Sequence, residues 1–149
     1  MSQNSRISEV TEDTKYAEER ARALVAEMTL DEKIGQMSQI NGGSGDLHQA
    51  VREGKVGSVL NEVNVGEVNE LQRIAMLESR MGIPLLIARD VIHGFKTIFP
   101  IPLGQAASWD ADAVKRAAGI AAVEAAAAGI NWTFAPMIDI TRDPRWGRI

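Results

Sequence analysis

The chain has 149 residues, with 16 Lys plus Arg against 20 Asp plus Glu, a formal net charge of -4, 45% hydrophobic residues and no cysteine. That length fits one domain, on the usual prior of ~100 to 200 residues per domain. The lack of cysteine excludes a disulfide framework, a thiol nucleophile and any Cys-ligated zinc or iron-sulfur site, and the scattered positive residues form no stripe that could track a phosphate backbone.

Residues 1–13 are polar and aperiodic and are expected to be a tail, with a single domain over 14–149. The first twenty residues, MSQNSRISEVTEDTKYAEER, hold no apolar segment of the kind a secretory signal needs. No stretch approaches the ~20 apolar residues of a membrane span, so a cytoplasmic protein without membrane or nucleic-acid partners is expected if Met1 is the native start. From Tyr16, apolar residues recur at Ala17, Ala21, Leu24, Val25 and Met28, the spacing of an amphipathic helix lying on a larger body. Thr29 to Glu32 matches a capping box, so a second helix should start there and carry Ile34 and Met37 inward. Three glycines within 41–46 predict a flexible loop.

Leu47 to Glu53 is expected as a short helix closed by Gly54, followed by a strand over Val56–Leu60. The pattern repeats with a helix over 67–81 and the apolar run Leu85–Ala88, expected to be a strand buried on both faces. An eighteen-residue connection, Arg89 to Ala106, precedes an alanine-rich helix from Ala111 to Ala128 ended by Gly129. Loops of that length in compact domains are usually functional. Residues 130–135 and 137–140 then predict a third strand, bent at Pro136. Helices alternating with near-continuous apolar strands argue for an α/β fold with a parallel sheet. Three strands are too few to close one, and a barrel of eight β/α units takes ~250 residues, so a partial (β/α)8 barrel is expected: about the first three units of a larger domain.

Several side chains could carry chemistry. Asp90 follows an apolar strand, at the edge where α/β folds bind ligands; it either faces a substrate, caps the next turn or pairs with Arg89. His93 could bond a hydroxyl or orient Asp90, and Gly94 would let backbone approach a ligand. His48 looks like a solvated helix residue, and two histidines 44 positions apart give no metal-ligand pattern, so neither metal nor cofactor is expected. Asp139, Asp143 and Glu124 are further carboxylates; Glu124 reads as the solvent face of a helix, and Asp143, beside Arg142 and Arg145, as one half of an ion pair. There is no GxGxxG, Walker lysine or GxSxG motif. The segment RDPRWGR at 142–148 combines guanidinium donors with the flat face of Trp146, a pairing that suits sugar hydroxyls and ring CH surfaces; a buried turn holding an Arg142–Asp143 pair is the alternative.

Three stretches, MTLDEKIGQM at 28–37, IPLLIARDVIHGFKTIFPIPLGQAASWD at 83–110 and GINWTFAPMIDITRDPRWGR at 129–148, resemble glycoside hydrolase family 3, a family of β-glucosidases and β-xylosidases. The resemblance implies the front of the family's N-terminal barrel, with Asp90 and Arg148 bonding the sugar and His93, Arg145 and Trp146 supporting the pocket. It also implies a retaining β-glycosidase whose nucleophile and acid/base lie further along the barrel or beyond it, so that these 149 residues carry no catalytic carboxylate and need the rest of the chain. Terminal β-D-glucosides or oligosaccharides are the expected substrates. A β-xylosidase of the same family and a non-catalytic carbohydrate-binding module are the alternatives.

Overall fold

The structure, a computed structural model, describes residues 3–138, 140, 142, 143 and 145, with side chains described from Asp13 onward. Helix α1 (Gln3–Glu27) runs without a break through the segment expected to be a tail. Glu, Ala, Arg and Lys are strong helix formers, and the Glu18–Arg22 pair one turn apart reinforces it. Polarity argued against burial, not against helix: residues 13–23 are all exposed, and only Leu24 and Met28 approach the body.

Helix α2 (Leu30–Met37) starts on the expected capping box, with Thr29 Oγ1 accepting from Glu32 N and Glu32 accepting from Thr29 N. Its inward residue is not the one periodicity selects. Ile34 and Met37 are 50% and 80% exposed, while Gly35 is buried. A Cβ on Gly35 would lie 2.0 Å from Gly54 O, so α2 approaches the turn at Gly54 backbone to backbone, closer than any side chain allows.

Among the described residues four strands, not three, form one parallel sheet in the order β1 (Gln39–Asn41), β2 (Ser58–Leu60), β3 (Leu86–Arg89) and β4 (Trp132–Thr133). β1 lies between the expected second helix and the expected loop, overlapping the latter only at Asn41; with a single apolar residue, Ile40, it carries no alternation to read. α3 (Leu47–Arg52) joins β1 to β2, α4 (Val65–Leu77) joins β2 to β3, and α5 (Pro102–Ala107) with α6 (Ala111–Ala127) lies between β3 and β4. Each strand thus pairs with its neighbour in sequence across a helical connection, the topology of a barrel wall. The fold is the expected α/β class, a partial (β/α)8 barrel.

The core lies between sheet and helices. Val68, Leu71, Ile74 and Ala75 of α4, Val51 of α3 and Ala125 of α6 pack with Val59 and Ile87, the last two fully buried. Burial of such side chains contributes roughly 1.5–3 kcal/mol each. Amide side chains complete the strand entrances: Gln72 bonds both backbone groups of Leu85 at 2.8 and 2.9 Å, and Asn131 accepts from Ile87 N at 2.7 Å while donating to Leu85 O at 3.2 Å.

Two expectations about strands need correction. Leu86 is 49% exposed, so the run Leu85–Ala88 is buried at Leu85 and Ile87 on one face and only at Ala88 on the other. Among the described residues the third predicted strand shrinks to two, with a last ladder bond from Phe134 N to Arg89 O; Pro136 has no N–H to continue it.

Candidate functional site

Side chains alternate along a strand, so the buried Val59 and Ile87 fix which face meets the helices. By the same alternation Leu86 and Ala88 face the other way, and Trp132, paired in register with Ala88, faces with them. Continued past Arg89, the alternation brings Asp90 to the rim of that inner face, at the carboxyl end of β3.

A cleft of about 500 Å³ opens there, lined by Asn61, Arg89, Asp90, His93, Gly94 and Phe134 among others. Its walls come from the carboxyl ends of β2, β3 and β4. Asp90 is exposed, and its Oδ1 accepts from Ile92 N at 3.3 Å. Among the described residues Oδ2 takes no hydrogen bond, which leaves an acceptor oxygen for a hydroxyl donor. The possible Arg89–Asp90 pair does not form. Arg89 Nη1 donates instead to Asn61 Oδ1 at 2.8 Å, and Asn61 Nδ2 donates to Asn41 Oδ1 at 2.9 Å, a polar chain across the ends of three strands. Asn61 has φ +65, a left-handed conformation that asparagine tolerates better than most residues.

His93 stands on the same rim, with Nδ1 3.2 Å from Phe99 O. A carbonyl can only accept, so Nδ1 donates. Gly94 lines the cleft, and its backbone also makes a close approach within its own loop. Its φ of +117 folds the loop on itself, and a Cβ there would lie 2.0 Å from Thr97 O. A second cavity of about 360 Å³ lies behind the loop; alanines of α6 form much of its wall and offer hydroxyls no partner.

Glu124 is not a solvent-face residue. Its Oε2 accepts from the backbone N–H of Lys96 and of Thr97, both at 2.8 Å, and its Oε1 accepts from Thr97 Oγ1 at 2.6 Å. The Thr97 hydroxyl, with the Thr97 and Lys96 amides, holds this carboxyl below the usual glutamate range. The signal was present in the sequence: Ala121, Glu124, Ala125 and Ala128 lie at i, i+3, i+4 and i+7, and the three alanines are buried. His48 likewise is not merely solvated, since its Nε2 lies 2.6 Å from Glu67 Oε1.

Among the described residues Asp143 pairs with Arg145, whose Nε lies 2.9 and 3.0 Å from the two carboxylate oxygens. That guanidinium holds the Asp143 carboxyl below its usual range. Trp146, Arg148 and Asp139 lie outside the described residues.

A parallel sheet with helical crossovers and a polar cleft at its carboxyl edge defines the class: the wall of a β/α barrel. Residues 29–149 match the Glycosyl hydrolase family 3 N terminal domain, and the chain belongs to that family. It is 46% identical over 129 residues to a periplasmic beta-glucosidase of Salmonella typhimurium, a match covering 84% of this chain and 17% of the relative. A periplasmic beta-glucosidase/beta-xylosidase of Dickeya chrysanthemi is 33% identical over 165 residues, covering 89% of this chain and 25% of the relative. Among solved structures, the beta-glucosidase of Listeria innocua in complex with glucose superposes with a TM-score of 0.76 at 40% identity, over 87% of this chain and 20% of the other. The chain therefore spans a fifth or less of two of these proteins and a quarter of the third. The cytoplasmic location expected from the sequence is overturned, since both curated relatives are periplasmic; that expectation rested on taking Met1 as the native start.

Proposed function

We propose that the intact protein is a retaining β-glycosidase that removes terminal β-D-glucosyl units outside the cytoplasm. Residues 14–149 are then the opening part of its barrel domain, supplying sugar-binding residues but neither nucleophile nor acid/base. The observation that carries this reading is the position of Asp90: on the inner-face register of β3, at its carboxyl end, with an acceptor oxygen open to a cleft. An ionised carboxylate only accepts hydrogen bonds, which suits sugar hydroxyls. Arg148 is assigned to the same sugar, with His93, Arg145 and Trp146 as supports of the pocket.

A retaining mechanism needs two carboxyl groups ~5–5.5 Å apart, one attacking the anomeric carbon and the other serving as acid and then base. Glu124 is unsuited to either part, because three hydrogen bonds hold it as an anion against the loop. We therefore place both groups in the remainder of the protein. A β-xylosidase is the second reading, favoured by the dual description of the Dickeya chrysanthemi relative.

The experiment is to assay the intact protein and residues 1–149 separately on p-nitrophenyl β-D-glucoside and p-nitrophenyl β-D-xyloside. Hydrolysis by the intact protein alone, faster on the glucoside, is expected. Faster xyloside cleavage would select the second reading. Turnover by residues 1–149 would overturn the assignment and make Asp90 and Asp139 candidates for the catalytic pair.

A further inference from the structure

The loop that leaves β3 through Asp90 closes into a small hairpin. Phe99 N donates to His93 O at 2.7 Å, and Gly94 and Ile98 form an isolated antiparallel bridge. Its tip, Lys96–Thr97, meets α6 at Glu124, where two successive amides and one hydroxyl converge on a single carboxylate. At the other end Asp90 is tied by one bond of 3.3 Å to Ile92 N, and Val91 is sunk into the core. The hairpin thus has an apolar anchor beside Asp90 and a polar anchor at its tip. His93 and Asp90 lie between the strand end and that polar anchor.

We propose that Glu124 is a positioning residue for sugar binding: it clamps the 93–99 hairpin to α6 and thereby sets where Asp90 and His93 stand at the mouth of the sheet. The proposal rests on the reading of Asp90 as a sugar ligand. Because the carboxyl group is held below its usual pKa range, the clamp stays an anion, and only an acceptor, through the neutral range. Glutamine can imitate it in shape: the amide oxygen can take both N–H groups while the NH2 donates to Thr97 Oγ1. Alanine cannot.

The test is a double-mutant cycle on the intact protein, reading kcat and KM for p-nitrophenyl β-D-glucoside in the wild type, Glu124→Ala, Glu124→Gln, Asp90→Ala and the Asp90→Ala/Glu124→Ala pair. Glu124→Ala should lower kcat/KM on the order of ten- to a hundredfold, the scale of a small misplacement of a binding group. Glu124→Gln should recover activity to within about threefold of wild type, as expected for a clamp of retained shape. In the Asp90→Ala background the Glu124→Ala loss should shrink to less than about threefold, because the residue acts through Asp90. An equal loss in both backgrounds would overturn the clamp and leave Glu124 a purely stabilising residue. If Asp90→Ala retains wild-type activity, the sugar-site reading itself fails, which separates the two failures. Should Glu124→Ala not fold, Thr97→Val in both backgrounds replaces it: a loss confined to the Asp90-containing background supports the clamp, and an equal loss refutes it.

Discussion

The two faces of the sheet differ sharply. On the helical side Val59 and Ile87 are completely buried against α3, α4 and α6, and this chain supplies every partner they touch in the core. On the inner side Leu86 is 49% and Trp132 39% exposed, and the residues buried there, Ala88 and Ser58, are small. The difference teaches that residues of this chain close the core between sheet and helices, whereas they cover the inner face only in part; in our reading its other neighbours come from the rest of the barrel. The site sits on the rim of the inner face, so its upper edge, formed by Asp90, His93 and Phe134, belongs to the half-covered side.

This comparison can be broken by substitution. In the intact protein, Leu71→Ala on the helical side should cost about 2–5 kcal/mol in denaturant unfolding, as for large-to-small changes in a filled core. Leu86→Ala should cost a comparable amount there, and a loss below ~0.5 kcal/mol would mean that the inner face stays open in the complete protein. Residues 1–149 alone should bind a hydrophobic dye strongly and lack sharp near-ultraviolet dichroism, the signature of exposed apolar surface and loose packing; a dye-silent, cooperatively unfolding fragment would refute the account of the inner face.

A smaller effect should follow from Asn131→Ala, about 1–3 kcal/mol by thermal or denaturant unfolding, since Ile87 N loses its side-chain acceptor at the strand entrance while Leu85 O keeps Gln72. A change within experimental error would show that water replaces the amide freely.

The smallest concerns Glu32, whose carboxyl is lowered from 4.5 to about 2, first by the Arg80 guanidinium and then by Thr29 N. A depressed carboxyl contributes stability that is fully present above its unfolded value and is lost as pH falls through the folded one. The stability gap between wild type and Arg80→Met should therefore be constant above about pH 5 and close between about 4.5 and 2. A gap that persists unchanged into that acid range would show that Arg80 acts through packing instead. Arg80 is 57% exposed, so the gap should be modest.

Much of this was legible in the sequence because it is local. The capping box at Thr29–Glu32, the turn glycines after α3 and α6, and the helical face of α4 each follow from spacing within one element. Asp90 was legible as well, because an aspartate after an apolar run marks a strand end. What escaped depends on contacts across the chain. Gly35 faces inward because another turn lies against it, and no periodicity in α2 reports that. β1 exists because β2 pairs with it, Gln39 to Ser58 and Asn41 to Leu60. Glu124 lay on a readable stripe with Ala121, Ala125 and Ala128, but its partners, Lys96 and Thr97, are 28 and 27 residues away. The Asn61–Arg89 bond spans 28 residues and carries no pattern in sequence.

The central claim is that the cleft at the carboxyl ends of β2, β3 and β4 binds the sugar whose bond is cleaved. Its most direct test is the steady-state hydrolysis of p-nitrophenyl β-D-glucoside by the intact protein and by Asp90→Ala, with folding verified by circular dichroism. A fall in kcat/KM on the order of a hundredfold or more, with the fold intact, is the expected result for a charged group that bonds the substrate in the transition state. Retention of activity to within about threefold would contradict it, because a sugar-holding carboxylate cannot be removed at so small a cost in transition-state binding.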